Sequence, residues 1–180
     1  MRRALVAGVL LLLVANTTYG EGPPTEPVWS HDIKTFSDVI LRDWDDRVVA
    51  LKPVQKQVLV IHFWATWCAP CVEELPSLDQ LAGELAEPGV GILAVSEDRG
   101  GVADVRRFFE HRAAPAHAAA VLDPQRLAAK AMGITTLPTT VVIGCDGSEH
   151  TRLTGTGHWA NDPDRALLIA AVRDPVNRCP

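Results

Sequence analysis

The sequence predicts an α/β fold, a mixed central β-sheet flanked by helices, and three observations predict it. Val58–Trp64 and Val90–Val95 are near-continuous apolar runs of strand length, the pattern of strands buried on both faces. A helix-patterned segment, Pro70–Leu85, lies between them, so the two strands are joined by a crossover and run parallel. Further on, Thr139–Ile143 and Thr151–Thr154 are strand-like and flank the turn Asp146-Gly147, which predicts an antiparallel hairpin.

The chain has 180 residues, 47% of them apolar and 22% charged, with a formal net charge of -5. That suffices for one well-packed domain. Basic residues are scattered and outnumbered by acids, which argues against a nucleic-acid surface. Met1-Arg2-Arg3, the apolar run Ala4–Ala15 and the small or polar residues up to Gly20 have the layout of a secretory signal peptide over residues 1–20. The run is short for a membrane span, so cleavage after Gly20 is expected, with an uncleaved membrane anchor as the alternative. Residues 21–27, EGPPTEP, read as a linker. The folded domain is expected over residues 28–180.

Within it, Val28–Ile40 is weakly patterned. Val48–Leu51 follows the turn-like Asp45-Asp46-Arg47 and predicts a strand in an N-terminal strand or hairpin extension. His62 alone interrupts the run Val58–Trp64. The helix Pro70–Leu85 carries Val72, Leu75, Leu78, Leu81, Ala82 and Leu85 on one side, with a kink expected at Pro76. Glu87-Pro88-Gly89 ends it. Ser96–Gly101 is a loop, and a second helix starts at Val102 and ends near Arg112. Val121-Leu122 is a short strand candidate, Pro124–Met132 a short helix closed by Gly133, and Pro163–Val172 a final helix.

Cys68 and Cys71 stand at the corner between the first apolar run and the first helix, with Ala69 and Pro70 between them. Unpaired N–H groups and the helix dipole favour an anion at that place, so the Cys68 thiol is expected to be unusually acidic. Cys71 lies one turn further in, shielded by the helix. The arrangement supplies an exposed nucleophile and a resolving partner for disulfide exchange. Pro70 in the first turn costs the helix little, because its missing N–H had no helical partner. A zinc site would need a second ligand pair at matching spacing, and none is present. A purely structural bridge closing so short a loop stabilises little.

Two segments, "FWATWCAPC" at Phe63–Cys71 and "TLPTTVVI" at Thr136–Ile143, resemble the thioredoxin superfamily. Within it, "VSEDRGG" at Val95–Gly101, "GITTLPTT" at Gly133–Thr140 and the glycine-to-tryptophan spacing of Gly155 and Trp159 are similar to the TlpA-like group of bacterial exported reductases, which includes the ResA-type cytochrome c maturation proteins. The resemblance runs in order from Phe36 to Val172. It implies a thioredoxin fold and a cis bond before Pro138, leaving the Leu137 backbone free to pair with a substrate strand. It also implies that Trp67, with Ala69 and Pro70, shapes the docking surface. The implied activity is a periplasmic thiol:disulfide oxidoreductase that reduces particular protein disulfides, such as those of cytochrome c precursors or copper-site proteins. A membrane thiol-disulfide donor would re-reduce it. No cofactor or metal is expected, and a monomer is. The cysteine motif alone leaves a general oxidant or isomerase open.

A copper chaperone of the Sco type is the alternative on the same fold. Such proteins carry one more residue between their cysteines, and His117, His150 and His158 lack a matching context. A peroxidase would need Thr where Ala65 stands. Glu74 shares the helix face of Cys71, and the resemblance implies a role in holding or relaying its proton; otherwise it is an exposed helix acid. His62 stands where relatives have Asp or Asn beneath the second cysteine. Protonated, it would stabilise a thiolate; neutral, it could take the Cys71 proton; or it is simply a buried histidine with one hydrogen bond. Asp98 falls in the loop after the second strand, where some relatives place an acid near the active site, with Glu97 as an equal candidate for that place; read first, it is a plain surface loop acid. Cys145 and Cys179 carry no redox motif, and an exported chain most simply pairs them; a free thiol or an intermolecular bridge is the alternative.

Overall fold

A computed structural model describes residues 28–30, 39–51, 57–161 and 163–174. The expected signal peptide, the linker and Cys179 lie outside the described residues. The described strands are β1 (Val28–Ser30), β2 (Val39–Arg42), β3 (Val48–Leu51), β4 (Val58–Trp64), β5 (Val90–Ser96), β6 (Ala119–Leu122), β7 (Thr139–Ile143) and β8 (Glu149–Thr154). The helices are α1 (Ala69–Glu84), α2 (Val102–Phe109), α3 (Leu127–Ala131) and α4 (Asp164–Arg173).

The eight strands form one sheet in the order β1-β8-β7-β4-β5-β6-β2-β3. β4, β5 and β6 are parallel neighbours, while β7 runs antiparallel to β4 and β8 antiparallel to β7. The expected crossovers and hairpin are therefore present. The expected N-terminal extension is the β2–β3 hairpin, which joins the sheet through Arg42 opposite Leu122. Its turn is built by Asp43, whose carboxylate accepts the backbone N–H groups of Asp45 and Arg47.

Strand alternation decides what lies on each face of β4. Val58, Val60 and Trp64 pack with Leu75, Leu78 and Leu81 of α1 and Leu168 and Val172 of α4. Leu59, Ile61 and Phe63 pack with Ala128, Ala129 and Met132 around α3. All seven β4 residues are buried, which explains the unbroken apolar run. His62 shares the parity of Val60 and Trp64, so it points to the face that α1 covers.

Some boundaries differ from the expectation. The third helix starts at Leu127, not Pro124. Asp123 holds Leu127 N–H at 2.7 Å and Ala129 N–H at 2.8 Å, and Arg126 adopts φ 56°, ψ 33°, which no helical residue can. The second helix ends at Phe109. β1 and β2 fall in a stretch with little pattern, and their pairing partners are remote in sequence. Helix α1 continues through Pro76 to Glu84.

Candidate active site

The parallel strands β4, β5 and β6 all end at one edge, where ligand sites collect in α/β sheets. Cys68 sits at the end of β4 as the N-cap residue of α1, and no side chain caps the helix there. Cys68 and Cys71 form a disulfide, with their Cα atoms 5.3 Å apart. Cys68 is 6% exposed and opens onto a cleft of about 900 Å³; Cys71 is wholly closed off. The sequence expectation of a shielded second thiol holds, though the first is less exposed than expected. Trp67, Ala69, Pro70 and Leu137 line the same cleft, and Trp67 is 69% exposed. The Leu137–Pro138 bond is cis, and Pro138 C=O accepts the Gly155 N–H at 3.0 Å.

Glu74 follows Cys71 by three residues on the buried face of α1. The reading of it as an exposed helix acid fails: it is 4% exposed. The Gly157 N–H donates to its Oε2 at 2.5 Å. Burial pushes its pKa up to about 8, with the Asp164 charge adding to the rise and the Gly157 N–H and Trp159 side chain opposing it. At neutral pH this carboxyl is mostly protonated.

His62 Nδ1 lies 2.9 Å from Thr140 Oγ1, and its Nε2 lies 3.4 Å from Glu74 Oε1. The contacts follow from register, since His62 pairs directly with Thr140 across β4 and β7. Burial lowers the His62 pKa to about 3, which removes the imidazolium alternative and leaves a neutral ring. Its described polar contacts are to Glu74 and Thr140.

Asp98 and Glu97 are also buried, which corrects their reading as surface loop acids. Asp98 accepts hydrogen bonds from Thr66 N–H at 2.9 Å, Thr66 Oγ1 at 2.6 Å and Ser96 Oγ at 2.7 Å. It thereby clamps the residues just before Cys68. Glu97 forms an ion pair with Arg126, and both line the cleft. Gly157, Trp159, Thr140 and Arg126 were not singled out from the sequence as site residues. Gly157 carries a usable signal in hindsight: a Cβ there would stand 2.1 Å from the Trp159 ring, so only glycine lets this loop close over Glu74. Cys145 is disulfide-bonded, which removes the free-thiol alternative; its expected partner, Cys179, lies outside the described residues.

Residues 33–148 match the AhpC/TSA family. The thiol-disulfide oxidoreductase ResA of Geobacillus thermodenitrificans is 32% identical over 122 residues, 68% of each chain. That of Halalkalibacterium halodurans is 32% identical over 108 residues, 60% of each chain. The aligned part thus spans about two thirds or less of these curated relatives. Among solved structures, a Chlorobium tepidum protein described as a thiol:disulfide interchange protein DsbE superposes with a TM-score of 0.66 at 23% identity. The superposition covers 78% of this chain and 99% of that one. The exposed lipoprotein thioredoxin of Streptococcus pneumoniae gives 0.61 at 22% identity, covering 75% and 98%. These two structures carry the fold alone, a thioredoxin fold; joined to the family match and the ResA alignments, they establish that the chain belongs to the AhpC/TSA family as a ResA-like protein of the thioredoxin superfamily.

Proposed function

We propose that the protein is a thiol–disulfide oxidoreductase working outside the cytoplasm as a reductant of protein disulfides. The observation that carries this reading is the Cys68–Cys71 disulfide, with one sulfur on an open cleft and the other closed off, and with buried Glu74 three residues after it on the buried face of α1. In the reduced protein the Cys68 thiolate attacks one sulfur of a substrate disulfide. A Cys68–substrate disulfide forms and the other substrate sulfur leaves as a thiolate. The ionised form of Glu74 then takes the Cys71 proton, and the Cys71 thiolate attacks Cys68 Sγ. The second substrate thiolate departs, and two electrons have passed from the protein's dithiol to the substrate. In the return direction an external dithiol attacks Cys68, and protonated Glu74 supplies the proton for the departing Cys71 thiolate.

The signal-like residues 1–20 support export to the periplasm, where protein disulfides form and need correction. The resemblance to ResA-type proteins points to cysteine pairs of cytochrome c precursors or copper-site proteins as substrates, and to a membrane dithiol as donor. Among the described residues the Leu137 N–H and C=O make no hydrogen bond, so a substrate strand can pair there beside Cys68. We also assign Cys179 as the partner of Cys145, tying the tail to the β7–β8 hairpin, and read the working form as a monomer.

His62 acts as a positioning residue for the Glu74 proton. With Glu74 protonated, Nε2 faces it as an acceptor and Nδ1–H donates to Thr140. With Glu74 ionised, the other tautomer fits, with Nε2–H facing the carboxylate and the Thr140 hydroxyl donating to Nδ1. Removing the ring leaves the Glu74 carboxylate in an apolar pocket, which raises its pKa further. The pH above which disulfide opening slows should therefore move upward from about 8 in His62→Leu, and less so in His62→Asn. Rates of opening by dithiothreitol, per thiolate, measure this; superimposable profiles for wild type and both variants would reduce His62 to a core histidine.

The overall reading is tested by mixing reduced protein with a disulfide-bonded peptide. One peptide disulfide should disappear for each Cys68–Cys71 disulfide formed. A peptide that stays oxidised while both cysteines remain thiols overturns the reading.

A further inference from the structure

We propose that the side of the cleft formed by Arg126 and Arg99 is an anion subsite that receives a carboxylate borne by the residue next to the substrate cysteine. The proposal rests on the oxidoreductase reading and names the substrate feature it selects. Glu97 directly follows β5 and Arg126 stands in the turn between β6 and α3, beside the end of β4 that leads to Cys68. The Glu97 N–H donates to Trp64 C=O at 2.9 Å, and the Asp123 N–H to Ser96 C=O at 2.7 Å. These bonds lock the three strand ends together.

Arg126 is built into place. Its backbone is left-handed, one of two non-glycine residues with positive φ among the described ones. Strained backbone of this kind persists where the surroundings hold it, often at sites of function. Its Nε donates to the Glu97 carboxylate and its Nη2 to the Ile134 C=O at 3.1 Å. Glu97 is 3% exposed. An ion pair with its carboxylate buried is a poor source of stability, so its use here is explained by what it aims. Arg126 Nη1 has no partner among the described residues, and the side chain is partly open to the cleft.

The acids of the cleft are turned onto protein donors, so the side chains that keep open hydrogen-bonding capacity toward a ligand are donors. Glu97 is paired with Arg126, and buried Asp98 is turned onto three neutral donors, the Thr66 N–H and hydroxyl and the Ser96 hydroxyl. Asp104 accepts the Gly100 N–H and lies 3.8 Å from Arg107. What remains unengaged is cationic: Arg126 Nη1 and exposed Arg99, which has no partner among the described residues. Guanidinium groups suit carboxylates through charge-assisted hydrogen bonds.

The test uses two disulfide-bonded peptides, capped at both termini, that differ only in Glu or Gln beside the attacked cysteine. The wild-type protein should reduce the Glu peptide about tenfold faster in kcat/KM, and added salt should shrink the advantage. The ratio of the two rates should fall toward one in Arg126→Gly paired with Glu97→Gln. That double variant relieves the left-handed strain and leaves no buried charge unpaired, so it remains folded. Arg99→Gln should lower the ratio in part. A Gln peptide ending in a free carboxylate after the cysteine separates a chain terminus from a side chain; preference for it alone overturns the assignment. Equal rates for the Glu and Gln peptides in wild type, preference for a Lys peptide, or an unchanged ratio in the double variant also overturns the subsite. Failure to reduce any peptide overturns the oxidoreductase reading instead.

Discussion

Replacing Cys71 by Ser leaves Cys68 joined to its substrate. The first attack needs only the Cys68 thiolate, which stands at the uncapped N-terminus of α1 and on the open cleft. Resolution needs a second thiol, and Cys71 is the one in place. Cys71→Ser should therefore accumulate covalent complexes that reducing agent dissolves, while turnover falls to background. Cys68→Ser should form none, because Cys71 is fully buried and no substrate sulfur reaches it. Non-reducing gels and mass spectrometry of the trapped species check both variants. Equal trapping by Cys68→Ser would reverse the roles of the two cysteines.

Glu74→Gln should make the protein slower and, above mildly acid pH, more stable. The wild-type carboxyl holds the proton that the departing Cys71 thiolate needs, so its loss should slow reductive opening of the disulfide by roughly 100-fold at neutral pH. The wild-type rate per attacking thiolate should be flat below about pH 8 and fall above it, following the Glu74 pKa of about 8. The Gln variant should lack that fall. For stability, the folded pKa of about 8 exceeds the ordinary 4.5, so the folded state holds this proton more tightly than the unfolded chain does. The stability is complete below the unfolded pKa of 4.5 and is lost as pH rises through about 8. At roughly 1.4 kcal/mol per pKa unit, the Gln variant should gain on wild type across that window, by an order of a few kcal/mol. Denaturant midpoints measured at pH 5 and pH 9 read the difference. A constant gap between the two proteins at both pH values would show that Glu74 ionises as an ordinary surface acid.

Much of this was legible in the sequence, for identifiable reasons. The runs that became β4 and β5 are continuous because helices cover both faces, and the cysteine pair marked the corner between β4 and α1. Glu74 was legible as sharing the Cys71 face, since helical spacing is local. His62 was legible as an interruption, and strand parity gives the face it meets. What the sequence could not give was long-range. The Gly157 N–H that reaches Glu74 lies 83 residues away, so nothing local marked the acid as buried. Glu97 and Asp98 looked like loop acids because a loop after a strand is usually at the surface. Here they turn inward onto partners 29 and 32 residues away. Arg126 sits inside a stretch with helical pattern, and its left-handed backbone is set by Asp123 and Glu97 rather than by its own preference. β2 gave almost no signal, since its place depends on pairing with β3 and β6.

Whether the Cys68–Cys71 dithiol serves as a reductant is read from the reduction potential of the pair. Wild-type protein is equilibrated in a dithiothreitol series, and the fraction of Cys68–Cys71 disulfide is read by thiol-specific mass tagging. A potential below about -200 mV at neutral pH, among the glutaredoxins and thioredoxin, is expected; a value above about -200 mV, toward the isomerases and oxidants, would contradict the reductant role.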